Sequence, residues 1–280
     1  MASSIKGDKY AFYQPHRQQK IERSNKVVAK KDLSRALKLE EFKVVYQPQI
    51  SLKTGIITSC EAILRWQHPL HGDISLAQFI STAEKTDLLV PISLWFLEKT
   101  AQQLNHWQQN GFRQLKLAIK IVGVHFYQDN FDLDIANILQ KYRLNYGTLT
   151  LEMRENTLLQ NKLKAQAKLK VMRNLGVNLT LDEFGTGYTN LNYWQEFPFN
   201  NIKLDWHRLQ SVFKRDRSHQ ISQASINLAH QQGLKTIVTG IGTTADWQFV
   251  AQEKWDLIQG DYLSQPLSAL EFSRLLQINS

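Results

Sequence analysis

Residues 59–66 read Ser-Cys-Glu-Ala-Ile-Leu-Arg-Trp, and residues 179–188 read Leu-Thr-Leu-Asp-Glu-Phe-Gly-Thr-Gly-Tyr. Each stretch is a short apolar segment that carries a carboxylate, a pattern typical of a buried β-strand. Gly185 and Gly187 follow the second segment and predict a turn there. The two stretches therefore predict strands whose ends carry polar chemistry.

Outward from these stretches, short apolar segments alternate with amphipathic helical patterns along the chain. The predicted strands are Phe42–Ile50, Ile56–Arg65, Leu115–Val122, Thr148–Arg154, Val177–Asp182, Asn201–Asp205, Leu234–Thr239 and Asp256–Gln259. The predicted helices are a short one through Leu33 and Glu41 with Asp32 as its N-cap, then Ala77–Glu84, Pro91–Gln109, Phe131–Tyr142, Asn161–Asn174, Asn190–Glu196, Gln220–Gln231, Thr244–Lys254 and Leu267–Leu276. Such alternation indicates βαβ units and a parallel sheet.

Eight strands in one domain of about 250 residues favour a sheet that closes on itself. The link between the first two strands, Ser51–Gly55, is too short for a crossover helix, so these strands must form an antiparallel hairpin. We therefore predict an α/β fold, a (β/α)8 TIM-like barrel with an antiparallel first strand. The barrel is expected over residues 32–280, preceded by a basic linker or arm over residues 1–31.

Composition limits the classes of protein that this chain can represent. Hydrophobic residues make up 42% of it, with seven Trp and thirteen Phe, which suffices for a buried core. The single cysteine, Cys60, excludes an intramolecular disulfide and suits a reducing compartment. No apolar run approaches the roughly 18 residues of a membrane helix, and Met1–Lys9 lacks the apolar core of a signal peptide. A cytoplasmic location without a membrane segment is expected.

The net charge of +9 is concentrated near the start of the sequence. Residues 1–32 hold eight Lys or Arg against three acids, which accounts for +5 of the total. A basic leader of this kind can contact nucleic acid or an acidic membrane, but a solvated linker is the commoner case. Nucleic acid is not expected as a partner, because no known recognition motif accompanies the charge.

The C-terminal ends of barrel strands face one mouth, where such folds place their functional residues. Read in chain order, the residues near that end are Tyr46, Gln47, Glu61, Arg65, Lys120, Val122, Glu152, Glu155, Asp182, Glu183, Lys203, Thr239, Gly240, Gln259 and Gly260. Several carboxylates would thus face several cations. His125 and the other histidines show no metal-ligand spacing.

Several motifs, in this order and spacing, resemble the EAL domain family of cyclic di-GMP phosphodiesterases. They are the strand Phe42–Pro48, Phe184-Gly185-Thr186-Gly187-Tyr188, Ile202-Lys203-Leu204-Asp205, and Gln259-Gly260 followed by Pro266-Leu267. The resemblance covers about residues 8–280. Tyr10-Ala11-Phe12-Tyr13 and Lys31–Gln47 look like the connector that often joins a GGDEF domain to an EAL domain. The resemblance therefore implies that this sequence is the C-terminal part of a bacterial GGDEF-EAL type protein.

The resemblance implies a two-metal site of which only part remains. Glu61, Glu152 and Asp182 match metal ligands of the family, and Glu183 stands where a second aspartate is usual. Lys203 matches the family's catalytic lysine, and Glu155 a residue that supports a loop of the site. Other positions depart from the family pattern: Lys120 replaces an asparagine ligand, Val122 a serine, and Val238-Thr239-Gly240-Ile241-Gly242 a segment with two glutamates.

These departures oppose metal-dependent hydrolysis. Two-metal cleavage of a phosphodiester needs closely spaced dications. An ammonium at Lys120 would repel a dication by about 8 kcal/mol at 4 Å and an effective dielectric near 20. Lys120 is instead expected within salt-bridge distance of Glu61 or Glu152, in place of a metal.

We therefore predict a catalytically degenerate EAL domain that acts as a cyclic di-GMP receptor or signalling module. The alternatives are a ligand-independent protein-interaction module and a weakly active phosphodiesterase. No cofactor is expected, with Mg²⁺ or Mn²⁺ needed only if activity remains. A protein partner in a signalling pathway and a homodimer are further expectations. The predicted ligand contacts are Gln47, Glu61, Arg65, Lys120, Asp182, Glu183, Lys203 and Gln259.

Overall fold

A closed barrel of eight strands forms the centre of the molecule in the computed structural model, which describes residues 30–184, 196–212 and 215–279. The strands described are these eight and an additional one, β3, that lies outside the ring: β1 (Phe42–Ser51), β2 (Ile57–His68), β3 (Gly72–Ser75), β4 (Lys116–Lys120), β5 (Leu149–Arg154), β6 (Asn178–Asp182), β7 (Asn201–Asp205), β8 (Lys235–Thr239) and β9 (Leu257–Ile258). The helices described are α1 (Lys30–Lys38), α2 (Leu76–Ala83), α3 (Leu89–Gln109), α4 (Gly123–Phe126), α5 (Phe131–Lys141), α6 (Glu155–Leu159), α7 (Lys162–Asn174), α8 (Trp206–Val212), α9 (Arg215–Gln231), α10 (Thr244–Val250) and α11 (Ala269–Ile278).

The sheet order confirms the predicted barrel and its unusual first strand. Hydrogen bonds link the strands in the order β1-β9-β8-β7-β6-β5-β4-β2, and β1 closes the ring by pairing with β2. β1 runs antiparallel to both of its neighbours, whereas the pairs from β2–β4 around to β8–β9 are parallel. The five-residue link after β1 explains this, because it leaves room only for a hairpin.

The structure corrects several element predictions. It adds β3, which pairs antiparallel with the end of β2, and the short helices α4, α6 and α8. These elements are seven residues or fewer and lack a full period of hydrophobic pattern, so sequence periodicity could not reveal them. Asp32 is not an N-cap, because α1 already begins at Lys30. Its carboxylate instead pairs with Arg35 at 3.0 Å.

Some predictions fall on residues that the structure does not describe. The predicted helix Asn190–Glu196 lies almost wholly outside the described residues, as do residues 1–29 of the predicted arm. The separation of an arm at residues 1–31 from the barrel therefore stays a prediction.

Alternate strand residues divide between an apolar layer and a polar barrel interior. The outward-facing residues pack against the helices and are at most 2% exposed; they include Leu117, Ile119, Leu151, Leu179, Leu181, Ile202, Leu204, Val238 and Ile258. The inward-facing residues are largely polar and hydrogen-bond to one another, both between adjacent strands, as from Asn201 to Thr180, and across the barrel, as from Lys203 to Glu61. The apolar layer holds the fold, and the interior is left for charged and amide groups.

No helix among the described residues is both long and apolar enough to cross a membrane.

Candidate functional site

The C-terminal ends of the parallel strands form one open end of the barrel, which we call the barrel mouth. The register between neighbouring strands sets the position of each charged residue along the barrel axis, and residues that pair directly across two strands lie at the same level. Lys120 on β4 lies directly beside Glu152 on β5. Asp182 on β6 pairs with Arg154, two residues beyond Glu152 along β5, and so lies one level nearer the mouth.

The ammonium of Lys203 lies between two glutamates inside the barrel. Lys203 Nζ donates to Glu61 Oε2 at 2.6 Å and to both oxygens of Glu152 at 2.8 and 3.0 Å. The Lys203 side chain is 3% exposed and that of Glu152 is fully buried. Burial alone would lower the pKa of Lys203, but Glu152 and Glu61 outweigh it and raise that pKa above its usual value.

Lys120 pairs with a carboxylate other than the two that we expected. Its Nζ lies 2.7 Å from Asp182 Oδ2, whereas Glu61 and Glu152 are bonded to Lys203. The prediction of a Lys120 contact with Glu61 or Glu152 is therefore wrong in its partner. The reason is geometric: Lys203 fills the space between the glutamates, and the long Lys120 side chain reaches the next level of the barrel. Burial lowers the pKa of Lys120, but Asp182 and Glu61 outweigh this and raise it.

The two buried glutamates have opposite pKa shifts. Burial acts to raise the pKa of Glu61, yet Lys203 and Lys120 outweigh burial and bring it to about 2. Burial raises the pKa of Glu152 to about 7, with Lys203 opposing that shift and the Glu61 and Asp182 carboxylates adding to it. Three carboxylates face two ammonium groups here, so a proton on Glu152 neutralises the cluster.

This donor set, as arranged, does not fit a pair of dications. Each carboxylate of Glu61, Glu152 and Asp182 already lies in an ion pair with an ammonium, although Lys120 makes no well-aligned hydrogen bond to Asp182 Oδ2. Within residues 30–184, 196–212 and 215–279, no group of three His, Cys, Asp or Glu side chains is placed to hold a metal ion. A dication would also need anionic oxygen ligands, and the hydroxyl side chain of Thr239 at the end of β8 supplies none.

A chain of buried amides leads to Glu61 from the opposite side. Gln259 Nε2 donates to Glu61 Oε2 at 2.7 Å and to Gln47 Oε1 at 2.9 Å. Gln49 Nε2 donates to Gln259 Oε1 at 2.9 Å, and Ser59 Oγ donates to Gln49 Oε1 at 2.7 Å. The structure thus brings together the predicted Gln47, Glu61 and Gln259. Sequence reasoning missed Gln49 and Ser59, although the spacing of Gln47 and Gln49 on one strand shows that they share a face.

Arg65 lies at the mouth end of β2, beside Lys43 on β1 and Ser75 on β3. Its side chain is partly exposed, and it forms no ion pair with the residues that the structure describes. Of the cations predicted as ligand contacts, Arg65 therefore lies at the mouth end of its strand and is partly exposed, while Lys203 is buried in the barrel.

The structure places Glu183 outside the carboxylate cluster. Its carboxylate pairs with Arg154 at 2.8 Å and also with Arg208. Its backbone has φ of 58°, and this turns the side chain away from the direction of Asp182. Glu183 therefore lies apart from the group of Glu61, Glu152 and Asp182, and its contact with a ligand stays a prediction.

Glu155 is the first residue of α6, directly after β5. The loop that it is predicted to support, residues 185–195, lies outside the described residues, so that role stays a prediction.

Comparison with known proteins gives a consistent result. A family model described as the EAL domain matches residues 30–266. Cyclic di-GMP phosphodiesterase PA2567 of Pseudomonas aeruginosa is 33% identical over 263 residues, which cover 94% of this chain and 44% of that protein. The chain therefore spans less than half the length of this curated relative.

Solved structures resemble the barrel closely. The PaMucR phosphodiesterase in complex with c-di-GMP has a TM-score of 0.82 and 29% identity, and the match covers 86% of this chain and 98% of that one. The EAL enzyme Bd1971, in a form with cAMP and cyclic di-GMP bound, has a TM-score of 0.82 and 27% identity over 88% of this chain and 67% of its own.

Proposed function

The chain belongs to the EAL domain family, and on that premise we propose that it is a catalytically degenerate member that binds cyclic di-GMP without metal and acts as a signalling receptor. The relatives support the ligand, because PaMucR and Bd1971 are described with cyclic di-GMP bound. The activity and partners of any longer protein that contains this domain are part of the same proposal.

One observation carries the proposed loss of catalysis: Lys120 stands where the family has an asparagine ligand, and its ammonium pairs with Asp182 at 2.7 Å. Lys203 also binds Glu61 and Glu152, but it matches the family's catalytic lysine and so is compatible with bound metal. A dication entering this cluster must separate Asp182 from Lys120 and then remain beside that cation, whose repulsion is about 8 kcal/mol at 4 Å and an effective dielectric near 20.

Receptor activity requires cations that can reach a phosphate. Arg65 offers a planar fork of donors at the mouth, suited to two phosphate oxygens. Lys120, about one third exposed, can add a second cation while it keeps its contact with Asp182. Gln47 and Gln259 support the interior, where Gln259 fixes the Glu61 carboxylate.

A second candidate is a protein-interaction module that binds no ligand. The burial of Lys203 favours it, because an ammonium that is 3% exposed and bonded to two glutamates cannot bind a phosphate without leaving them. In this alternative the internal ion pairs serve only the fold. A protein partner in a signalling pathway and a homodimer fit either candidate.

Calorimetric titration with cyclic di-GMP, in EDTA and separately in Mg²⁺, tests the proposal. We expect the same affinity in both buffers. Arg65→Ala should lose about tenfold or more, since a charge-assisted hydrogen bond contributes about 1.5–3 kcal/mol. Lys141→Ala, which removes a surface ion pair with Glu98, is the matched control and should bind like the unmodified protein. No binding at millimolar nucleotide would leave the interaction module as the better account.

A further inference from the structure

At the rim of the barrel mouth, two arginines hold one glutamate between them. Arg154 ends β5 and Arg208 lies on α8, and both guanidinium groups contact the carboxylate of Glu183. Arg154 Nη2 lies 2.8 Å from Glu183 Oε1, and Arg208 Nη1 donates to Glu183 Oε2. Each carboxylate oxygen thus has its own arginine.

The two arginines of this cluster are about half exposed, whereas the glutamate between them is mostly covered. The Arg154 and Arg208 side chains are 51% and 47% exposed, whereas Glu183 is 21% exposed. The outer edges of both guanidiniums therefore remain open to solvent. The carboxylate of Glu183 contacts both of the groups that an approaching anion would seek.

The backbone of Glu183 is held in a conformation that glutamate rarely adopts. Its φ of 58° lies in the left-handed region, which costs a residue with a side chain about 1 kcal/mol or more. The Glu183 N–H donates to Asp182 Oδ1 at 2.9 Å, which ties this turn to the carboxylate cluster below. The strained turn aims the side chain of Glu183 at the two arginines rather than into the barrel.

We propose that Arg154 and Arg208 form a phosphate-binding subsite at the rim of the mouth, and that Glu183 occupies it as a built-in competitor. A carboxylate with one oxygen on each guanidinium occupies the position that two phosphate oxygens would take. A phosphate of the bound nucleotide displaces Glu183, and the displacement lowers the apparent affinity. This inference rests on the proposed receptor function and adds residues and an autoinhibitory contact to the same site.

Charge supports phosphate as the ligand of this subsite. Asp182, directly next to Glu183, is neutralised by Lys120, so it does not cancel the field of the two arginines. With Glu183 displaced, the rim presents two positive charges to a dianionic dinucleotide. With Glu183 in place, the rim retains only one net positive charge. Glu183 and a phosphate therefore compete for the same two arginines.

The test compares Glu183→Gln with the unmodified protein by calorimetric titration, using cyclic di-GMP and inorganic pyrophosphate as separate probes. Gln keeps the size of the side chain and removes its charge, and Glu183→Ala removes the competitor altogether. We expect both variants to bind each probe about tenfold or more tightly, because the charge-assisted contacts of Glu183 with Arg154 and Arg208 no longer have to be broken. Adding Arg154→Ala or Arg208→Ala to Glu183→Gln should abolish the gain.

The two probes separate this inference from the receptor proposal. If no variant binds cyclic di-GMP but Glu183→Gln gains pyrophosphate binding through both arginines, the subsite stands and the receptor function fails. If cyclic di-GMP binds with equal or lower affinity when Glu183 is neutralised, the subsite is refuted and the receptor stands. If neither probe binds any variant, both are refuted. Melting temperatures of all variants show whether a loss reflects damage to the fold instead.

Discussion

Lys120 and Lys203 show how much the role of one residue type depends on its depth in the barrel. Lys203 is fully enclosed and bonded to two glutamates, whereas Lys120 is about one third exposed and pairs with one aspartate. Both are inward-facing residues on parallel strands, so their sequence positions look alike. The difference comes from neighbours on other strands, which only the closed sheet brings near.

Replacing Lys120 with methionine should destabilise the protein by about 1–3 kcal/mol, because Asp182 loses its cation while it stays 5% exposed. Urea unfolding measures the loss. Lys116→Met is the matched control on the same strand, since Lys116 faces the like charge of Lys235 and its pKa is lowered by burial and by that neighbour. The control should be neutral or slightly stabilising. Equal losses from both substitutions would refute a specific role for the Lys120–Asp182 pair.

Stability should fall as pH rises through the range in which Glu152 ionises. Its folded pKa of about 7 lies above the ordinary value of 4.5, so the folded state binds more protons between these values and raising the pH favours unfolding. Glu61, with a pKa of about 2, contributes stability that is complete above pH 4.5 and lost only in acid.

The measurement is the free energy of unfolding of the protein and of Glu152→Gln from pH 5 to pH 8. As pH rises from 5 to 8, the unmodified protein should lose about 2–3 kcal/mol of its free energy of unfolding relative to Glu152→Gln. Parallel curves for the two proteins would show that Glu152 is ionised throughout and that the cluster holds three charged carboxylates.

The sequence identified the charged residues of the mouth but could not say which cation binds which carboxylate. That outcome depends on side-chain reach and on the offset between β4, β5 and β6, both of which are properties of the closed barrel. The amide chain through Gln49 and Ser59 was missed because polar residues inside a strand normally indicate an exposed face. In this barrel the interior is polar, so polar strand residues can be buried, and the usual rule would wrongly assign them to an exposed face.

At the scale of elements, the barrel and its antiparallel first strand could be predicted because they follow from strand count and one short link. The short elements could not, since each is stabilised by contacts distant in sequence. Asp246 is an example: it caps α10 through Thr243 and also accepts a hydrogen bond from Trp206 Nε1 at 2.9 Å, which joins α8 to α10.

Asp246→Ala should therefore cost more than an ordinary helix cap. Losing the cap costs about 1 kcal/mol, and leaving the buried Trp206 N–H without its acceptor adds about 1–3 kcal/mol. Glu271→Ala is the control, because Glu271 takes the same position in the capping box of α11 at an exposed site. Thermal unfolding should rank Asp246→Ala clearly below Glu271→Ala. Equal melting temperatures would mean that the Trp206 contact contributes no stability.

At the scale of the whole molecule, we expect that two substitutions would convert the charged cluster of the barrel into a site that binds a metal. Lys120→Asn removes the rival cation and restores an oxygen donor, and Thr239→Glu adds a carboxylate at the end of β8. In the double variant Mg²⁺ or Mn²⁺ should raise the melting temperature, since a ligand of the folded state stabilises it by mass action. The unmodified protein should show no shift at the same metal concentration. A shift in the unmodified protein would mean that its cluster already accepts a dication.

The most direct test of lost catalysis is the reaction itself. The protein, with cyclic di-GMP and either Mg²⁺ or Mn²⁺, is sampled over time and the linear dinucleotide is separated and quantified. We predict no turnover beyond that of protein-free buffer, because Lys120 and Thr239 replace ligand positions and the Lys120 ammonium pairs with Asp182. Steady formation of the linear dinucleotide on the order of 1 s⁻¹, abolished by EDTA, would contradict the account.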